Sequence, residues 1–148
     1  MTVDDLRSRI GQEVGVSAWK TITQDMINAF AGLTDDEQWI HVDVERARRE
    51  SPFAAPVAHG FLTISLLSAM TREALEVRGD YRLRVNYGFN RLRFPSPVTA
   101  GSRIRAHVAP AAVKDVDGGV EVAWNITIEI EGISKPAMAA EWLTRMYR

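Results

Sequence analysis

The stretch Val120-Glu-Val-Ala-Trp-Asn-Ile-Thr-Ile-Glu-Ile-Glu131 decides the fold class. Its even positions, Val120, Val122, Trp124, Ile126, Ile128 and Ile130, are all apolar. Between them stand Glu121, Ala123, Asn125, Thr127, Glu129 and Glu131. Side chains alternate across a strand, so this period of two marks a strand of an antiparallel sheet with one wet face. Asp117-Gly118-Gly119 before it and Gly132 after it are turn signals. Working outward, 102–113 and 135–147 read as its two neighbours in a meander. Upstream, the run 83–94 begins with apolar odd positions, Leu83, Val85, Tyr87 and Phe89, and ends with apolar even ones, Leu92 and Phe94. The phase slips by one near Asn90-Arg91. Either a β-bulge lies there, a feature common beside active sites, or the strand end splays into the Pro95-Ser-Pro97 turn.

Ahead of these strands, 60–78 reads as one long helix, closed by Gly79-Asp80. Phe61, Leu62, Ile64, Leu66, Leu67, Met70 and Leu75 cover most of the circumference of its first turns, and a helix apolar all round is a buried one. A twisted antiparallel sheet can wrap such a helix. Nearer the N-terminus, 11–20 reads as a short strand and Thr23 caps a helix carrying Met26, Ile27, Phe30 and Leu33 at helical spacing. The segment 34–41 reads as a loop, and Asp43 caps a short helix over 44–50 that Ser51-Pro52 ends. The expected architecture is α+β: an antiparallel sheet of about five strands around a long central helix. Residues 1–148 are expected to form a single domain, a length that can bury a core.

Composition narrows the function classes. The net charge is −1 and the sequence pI about 6.3, and the basic residues are scattered, so neither a nucleic-acid nor a membrane partner is expected. Arg48-Arg49 and the set Arg82, Arg84, Arg91 and Arg93 are local densities that read either as solvated faces or as contacts to a ligand's phosphates. The chain has no cysteine, which rules out thiolate chemistry and thiolate metal sites. The first residues carry no basic region followed by an apolar run, and the stretch 60–70 is too short to span a bilayer. A cytoplasmic location is expected.

Three histidines are present. His107 falls on the polar phase of a strand beside Arg103 and Arg105 and reads as a surface residue. In the loop Leu33-Thr-Asp-Asp-Glu-Gln-Trp-Ile-His41, Asp36 precedes His41 by five positions. In a loop that spacing lets a carboxylate and an imidazole face one cavity, a pair suited to acid–base work; it is equally the composition of a solvated turn. No HExxH, HxH or GxSxG pattern exists, so neither a metal nor an acyl-enzyme serine is expected. His59-Gly60 opens the long helix. Gly60 either permits close packing or lets a ligand approach unpaired backbone N–H groups, where an oxyanion would be stabilised. Ser68, two turns on, has a hydroxyl that can bond back to its own helix.

Three stretches together, Phe30-Ala-Gly-Leu-Thr-Asp-Asp36-Glu-Gln-Trp-Ile-His41, Ala58-His-Gly-Phe-Leu62 and Tyr87-Gly-Phe-Asn90-Arg-Leu-Arg-Phe-Pro95, resemble the MaoC-like (R)-specific enoyl-CoA hydratase family of hot-dog folds. Asp36, Ile40 and His41 match the family loop position by position, as does Ala58-His59-Gly60 in the second motif. Asp35 stands where the family usually has Gly, and Gln38-Trp39 replaces Asn-Pro, a version similar to the branch named after nodulation protein N. The resemblance implies a hydratase acting on a trans-2-enoyl thioester to give the (R)-3-hydroxyacyl product. In it Asp36 and His41 activate water, and the Gly60 N–H holds the thioester oxygen. Ser68, His59 and Asn90 are substrate-binding candidates, with Ser68 orienting Asp36 or the water. It further implies a homodimer, an acyl-CoA or acyl carrier protein thioester as partner, a place in fatty acid metabolism and no cofactor. Two other readings stay open: an acyl-CoA thioesterase, disfavoured because the helix carries only the late carboxylates Glu73 and Glu76, and a non-catalytic acyl-binding subunit of a heteromeric dehydratase.

Overall fold

The computed structural model describes Met1–Arg148. Its helices are α1 (Val3–Ser8), α2 (Gln24–Thr34), α3 (Trp39–Val42), α4 (Val44–Glu50), α5 (Gly60–Ser65) and α6 (Leu67–Ala74). Its strands are β1 (Gly15–Val16), β2 (Lys20–Thr21), β3 (Leu83–Arg93), β4 (Arg103–Val116), β5 (Gly119–Ile130) and β6 (Ile133–Tyr147). All pair antiparallel in one six-stranded sheet of order β1-β4-β5-β6-β3, with β2 beside β1 on the edge of β4. The α+β architecture is the expected one.

The alternation in β5 is realised as burial. Every even residue from Val120 to Ile130 is buried, whereas Asn125, Thr127 and Glu131 on the other phase are exposed. Hairpins join β4 to β5 and β5 to β6, and Gly118 and Gly132 sit at their corners with φ of +71° and +77°, where a side chain would be strained. The buried phase of β5 meets Ile104, Ala106 and Val108 of β4, Met138 and Trp142 of β6, and Leu62, Leu67 and Met70 of the central helices.

Two expectations about the helix and first strand change. The central helix is not continuous over 60–78. At Leu66 the N–H donates to the Thr63 carbonyl at 3.3 Å, a tighter step that divides α5 from α6. The chain then leaves helical geometry at Leu75, with φ −154°, and Val77, past the helix end, joins the core. Nor is the helix buried all round: Leu62, Thr63, Leu67 and Met70 face inward, but Phe61 is 71% exposed. The expected strand over 11–20 is split into β1 and β2. Between them the Ser17 N–H donates to the Ala106 carbonyl, and Ser17 Oγ accepts from the Ala106 N–H, both at 2.9 Å. A side chain there replaces one rung of the ladder. The phase slip in β3 is a true bulge. Asn90 has no partner on β6, and a second irregularity leaves Tyr87 unpaired; the strand continues to Arg93.

Candidate functional site

The site is built where α2 ends. Thr23 caps α2 by accepting from the Met26 N–H at 3.2 Å. At the other end Asp35 is left-handed, with φ 56°. Asp tolerates this region better than most residues, though less well than the glycine usual there. The left-handed turn reverses the chain, and the Asp36 N–H donates back to the Ala31 carbonyl at 3.1 Å. Asp36 therefore leaves the helix in a fixed direction, with its side chain about half exposed.

The stretch expected as loop contains the one-turn helix α3. Trp39 takes its first position, where a proline is also favoured, and the Arg46 guanidinium lies 4.3 Å above the Trp39 ring. This turn carries His41, which is buried. The His41 carbonyl accepts from Gln24 Nε2 at 2.7 Å, and the Ile40 carbonyl accepts from the Val57 N–H at 3.0 Å. His41 Nδ1 then donates to the Val57 carbonyl at 2.6 Å. A carbonyl can only accept, so the proton is on Nδ1 and the lone pair on Nε2. That Nε2 has no protein partner and is not sealed from solvent. Burial, the largest influence, holds His41 below the ordinary imidazole value. The bond to Val57 opposes this, His59 reinforces it, and the Asp36 charge opposes it.

His59 closes the arrangement from below. Its ring stacks on His41 with centroids 3.7 Å apart and planes 21° from parallel, and Phe30 packs against it at 5.0 Å. His59 Nε2 donates to the Asp36 carbonyl at 2.8 Å and lies 4.0 Å from the Asp36 carboxylate. Ligand-capable atoms of Asp36, His41 and His59 lie within 4.8 Å of one another. His59 Nε2, however, is committed as a donor to the Asp36 carbonyl and its Nδ1 is buried, so His59 offers no open lone pair to an ion shared with His41. The geometry fits proton transfer better than metal binding.

Gly60 follows at the start of α5, and its N–H donates to no acceptor in the chain. The space of its missing side chain is filled: a Cβ there would meet the Phe94 ring at 2.9 Å. Of the expected site residues, Asp36, His41, His59 and Gly60 are thus brought together. Ser68 is placed otherwise than expected, since its hydroxyl donates to Asn86 Oδ1 at 3.3 Å and neither to Asp36 nor to its own helix. Asn90, at the β3 bulge, donates to the Glu141 carboxylate at 2.5 Å. His59, expected to touch substrate, is only 3% exposed and lies stacked on the His41 ring. Ser68 and Asn86 instead help line a cavity of about 160 Å³ between α6 and the sheet, with Leu75, Trp124, Trp142 and Met146. Of the groups that fix His41, the Val57 carbonyl carries no signal in the sequence, since any residue supplies a carbonyl, and Gln24 reads there only as a residue in the first turn of its helix.

Residues 5–130 match the model of the MaoC like domain. The chain belongs to the MaoC-like dehydratase family. Among similar proteins is 3-hydroxyacyl-thioester dehydratase Z of Mycobacterium tuberculosis, 46% identical over 145 residues, which cover 97% of this chain and 95% of the relative. Nodulation protein N of Rhizobium meliloti is 44% identical over 144 residues, covering 97% and 89% of the two chains. A crystal structure of the MaoC-like dehydratase from Rhodospirillum rubrum superposes with a TM-score of 0.80 at 20% identity, over 100% of this chain and 97% of that one. MaoC-like structures are hot-dog folds, and the antiparallel sheet with its packed helices is that fold here. No helix of this MaoC-like protein is long and apolar enough to cross a membrane.

Proposed function

We propose that this protein interconverts a trans-2-enoyl thioester and the (R)-3-hydroxyacyl thioester by adding or removing water. The observation that carries the reading is the state of His41: a buried imidazole whose Nδ1–H is tied to Val57, leaving Nε2 without a protein partner, on a ring that has a nitrogen within 4.8 Å of a carboxylate oxygen of Asp36. In hydration, His41 Nε2 takes a proton from a water that Asp36 holds. The water oxygen bonds to C3, and the electron pair of the C2–C3 double bond moves toward the thioester carbonyl. The enolate so formed takes a proton at C2 from the Asp36–His41 pair, which restores the carbonyl and returns His41 to its neutral state. The free Gly60 N–H is the donor to the developing oxyanion, a position where one hydrogen bond has a large effect on rate. The close relative named a 3-hydroxyacyl-thioester dehydratase supports this substrate class.

A thioesterase reading asks for a carboxylate on the central helix near a backbone donor. Glu73 lies in the last turn of α6 and Glu76 beyond it, far along the chain from Gly60. Incubation with crotonyl-CoA separates the readings. Loss of enoyl absorbance without free thiol is expected, with (R)-3-hydroxybutyryl-CoA as product. Release of thiol indicates a thioesterase, no consumption a binding subunit, and the (S) isomer contradicts the stereochemical assignment.

A homodimer belongs to the same proposal. β3 is an 11-residue edge strand paired only with β6, and unpaired edges invite a second strand. Exposed Leu83 and Tyr87 on β3 and Phe61 on α5 supply apolar surface for a partner copy. Light scattering at micromolar concentration is expected to give twice the chain mass; a monomer rejects the dimer.

A further inference from the structure

Two histidines stack in this site, and their hydrogen bonds assign them opposite tautomers. His41 carries its proton on Nδ1, given to the Val57 carbonyl, and leaves Nε2 open. His59 carries its proton on Nε2, given to the Asp36 carbonyl, and its Nδ1 is buried without a partner. The two bare nitrogens therefore differ in what they can reach. That of His41 opens to solvent, whereas that of His59 is buried, so the His59 lone pair has no open route to a proton of a substrate or a water. Its contacts all run to the catalytic pair or to the packing beneath. One ring face covers His41 at 3.7 Å, Phe30 packs at 5.0 Å, and the single N–H reaches across 23 positions of sequence to the main chain of Asp36.

Packing alone does not account for a histidine here. Filling space between Phe30 and His41 asks only for a flat ring, and phenylalanine would do so without leaving a buried nitrogen unpaired, which is costly. What histidine adds is one donor, pointed at the residue that holds the water. Asp36 sits just past a left-handed turn and is about half exposed. Its only other backbone anchor is its own N–H bond to Ala31. The donor from His59 fixes its carbonyl side, and with it the separation between the Asp36 carboxylate and His41.

We propose that His59 is a positioning residue for the Asp36–His41 pair: it sets the Asp36 main chain through Nε2–H, without touching substrate. The proposal rests on the hydratase reading for its kinetic consequences, but its hydrogen bond can be tested without any activity.

The test uses two variants of the full chain. His59→Phe keeps the stacked ring and removes the donor. His59→Gln removes the ring but places an amide N–H the same number of bonds from Cα. With crotonyl-CoA, His59→Phe is expected to lower kcat by about 10–100-fold, the cost of a small misplacement of a catalytic group, with KM changing far less. His59→Gln is expected to recover most of that loss. In parallel, ring 15N shifts of the three histidines should show the Nε2–H tautomer at His59 and Nδ1–H at His41. The Asp36 carbonyl 13C shift should move in His59→Phe and return in His59→Gln. The proposal is overturned by wild-type kcat in His59→Phe, by His59→Gln as impaired as His59→Phe at equal thermal stability, or by an Asp36 carbonyl shift indifferent to both substitutions. If the wild-type protein leaves crotonyl-CoA untouched, the hydratase reading fails, and the 15N and 13C shifts still decide whether His59 holds Asp36.

Discussion

His41 and His107 both lie beside carboxylates, and the two neighbourhoods drive them in opposite directions. On the outer face of the sheet, His107 in β4 is clamped by Glu13 through Nδ1 and by Glu129 through Nε2, each at 2.7 Å. Arg105 shares the Glu129 carboxylate at 2.6 Å and lies 4.4 Å over the Trp19 ring. Burial disfavours the charge on His107, but the bonds to Glu129 and Glu13 outweigh it and raise its pKa. Its ring is held as a cation with no nitrogen to spare. At His41 burial dominates, the one hydrogen bond goes to a carbonyl, and Nε2 is left bare. A carboxylate near a histidine therefore does not make a base. What makes one is a single fixed proton, a buried ring and a lone pair left without a partner.

The strongest way to break this comparison is to remove the groups on the catalytic side. His41→Gln and Asp36→Asn are each expected to lower kcat for crotonyl-CoA hydration by about 10²–10⁴-fold, with circular dichroism unchanged. The same substitution at His107, His107→Gln, should leave kcat within error of wild type. Loss of activity there would show that the two histidines are not functionally distinct.

A smaller effect is expected at Gly60. The added methyl of Gly60→Ala meets Phe94, and such overpacking costs about 1–3 kcal/mol, here near the lower end because the obstacle is the tip of a ring that can swing aside. A fall in kcat/KM should accompany the loss in melting temperature, and Gly60→Ala/Phe94→Leu should recover stability. A Gly60→Ala protein as stable as wild type would mean that the Phe94 ring does not fill that space.

His107 should reveal itself through pH instead of rate. Its folded pKa is raised above the unfolded value, so the stability it contributes is complete below about pH 6.5 and is lost as pH rises through the folded value. His107→Gln should therefore destabilise the protein by about 1 kcal/mol or less at pH 6, and by a vanishing amount in alkaline solution. Urea melts at several pH values measure it, and a penalty that grows with pH would reverse the assignment. The smallest effect belongs to Asp35. Relief of its left-handed backbone in Asp35→Gly and the greater chain entropy of glycine oppose each other, leaving a change within about 1 kcal/mol. The β-branched Asp35→Val should lose more, since a non-glycine left-handed residue costs about 1–2 kcal/mol.

Much of this arrangement is legible in the order of the amino acids. The alternation over 120–131 marks a two-sided strand because burial follows the pleat directly, and Thr23 and Asp43 declare their helix starts because capping is local chemistry. The grouping of Asp36, His41 and Gly60 follows from motif resemblance, and the left-handed backbone at Asp35 explains why glycine is usual there. The long central helix is where periodicity misleads. Leu75 looks like a further turn, but it packs against the core as extended chain, a tertiary preference that periodicity does not carry. For Ser68 and Asn90, motif position says nothing of their actual partners, Asn86 and Glu141, which lie on strands that only folding brings near. The difference between His41 and His59 is equally hidden, because a backbone carbonyl fixes each tautomer.

The pH dependence of kcat/KM for crotonyl-CoA hydration measures most directly whether His41 acts as the base through a bare Nε2 on a buried ring. Because burial holds His41 below 6.5, kcat/KM should decline, as pH falls, through one ionisation centred below 6.5. That limb should be missing from the residual activity of His41→Gln. An acid limb centred at or above 6.5, or one that persists unchanged in His41→Gln, would contradict His41 as the base.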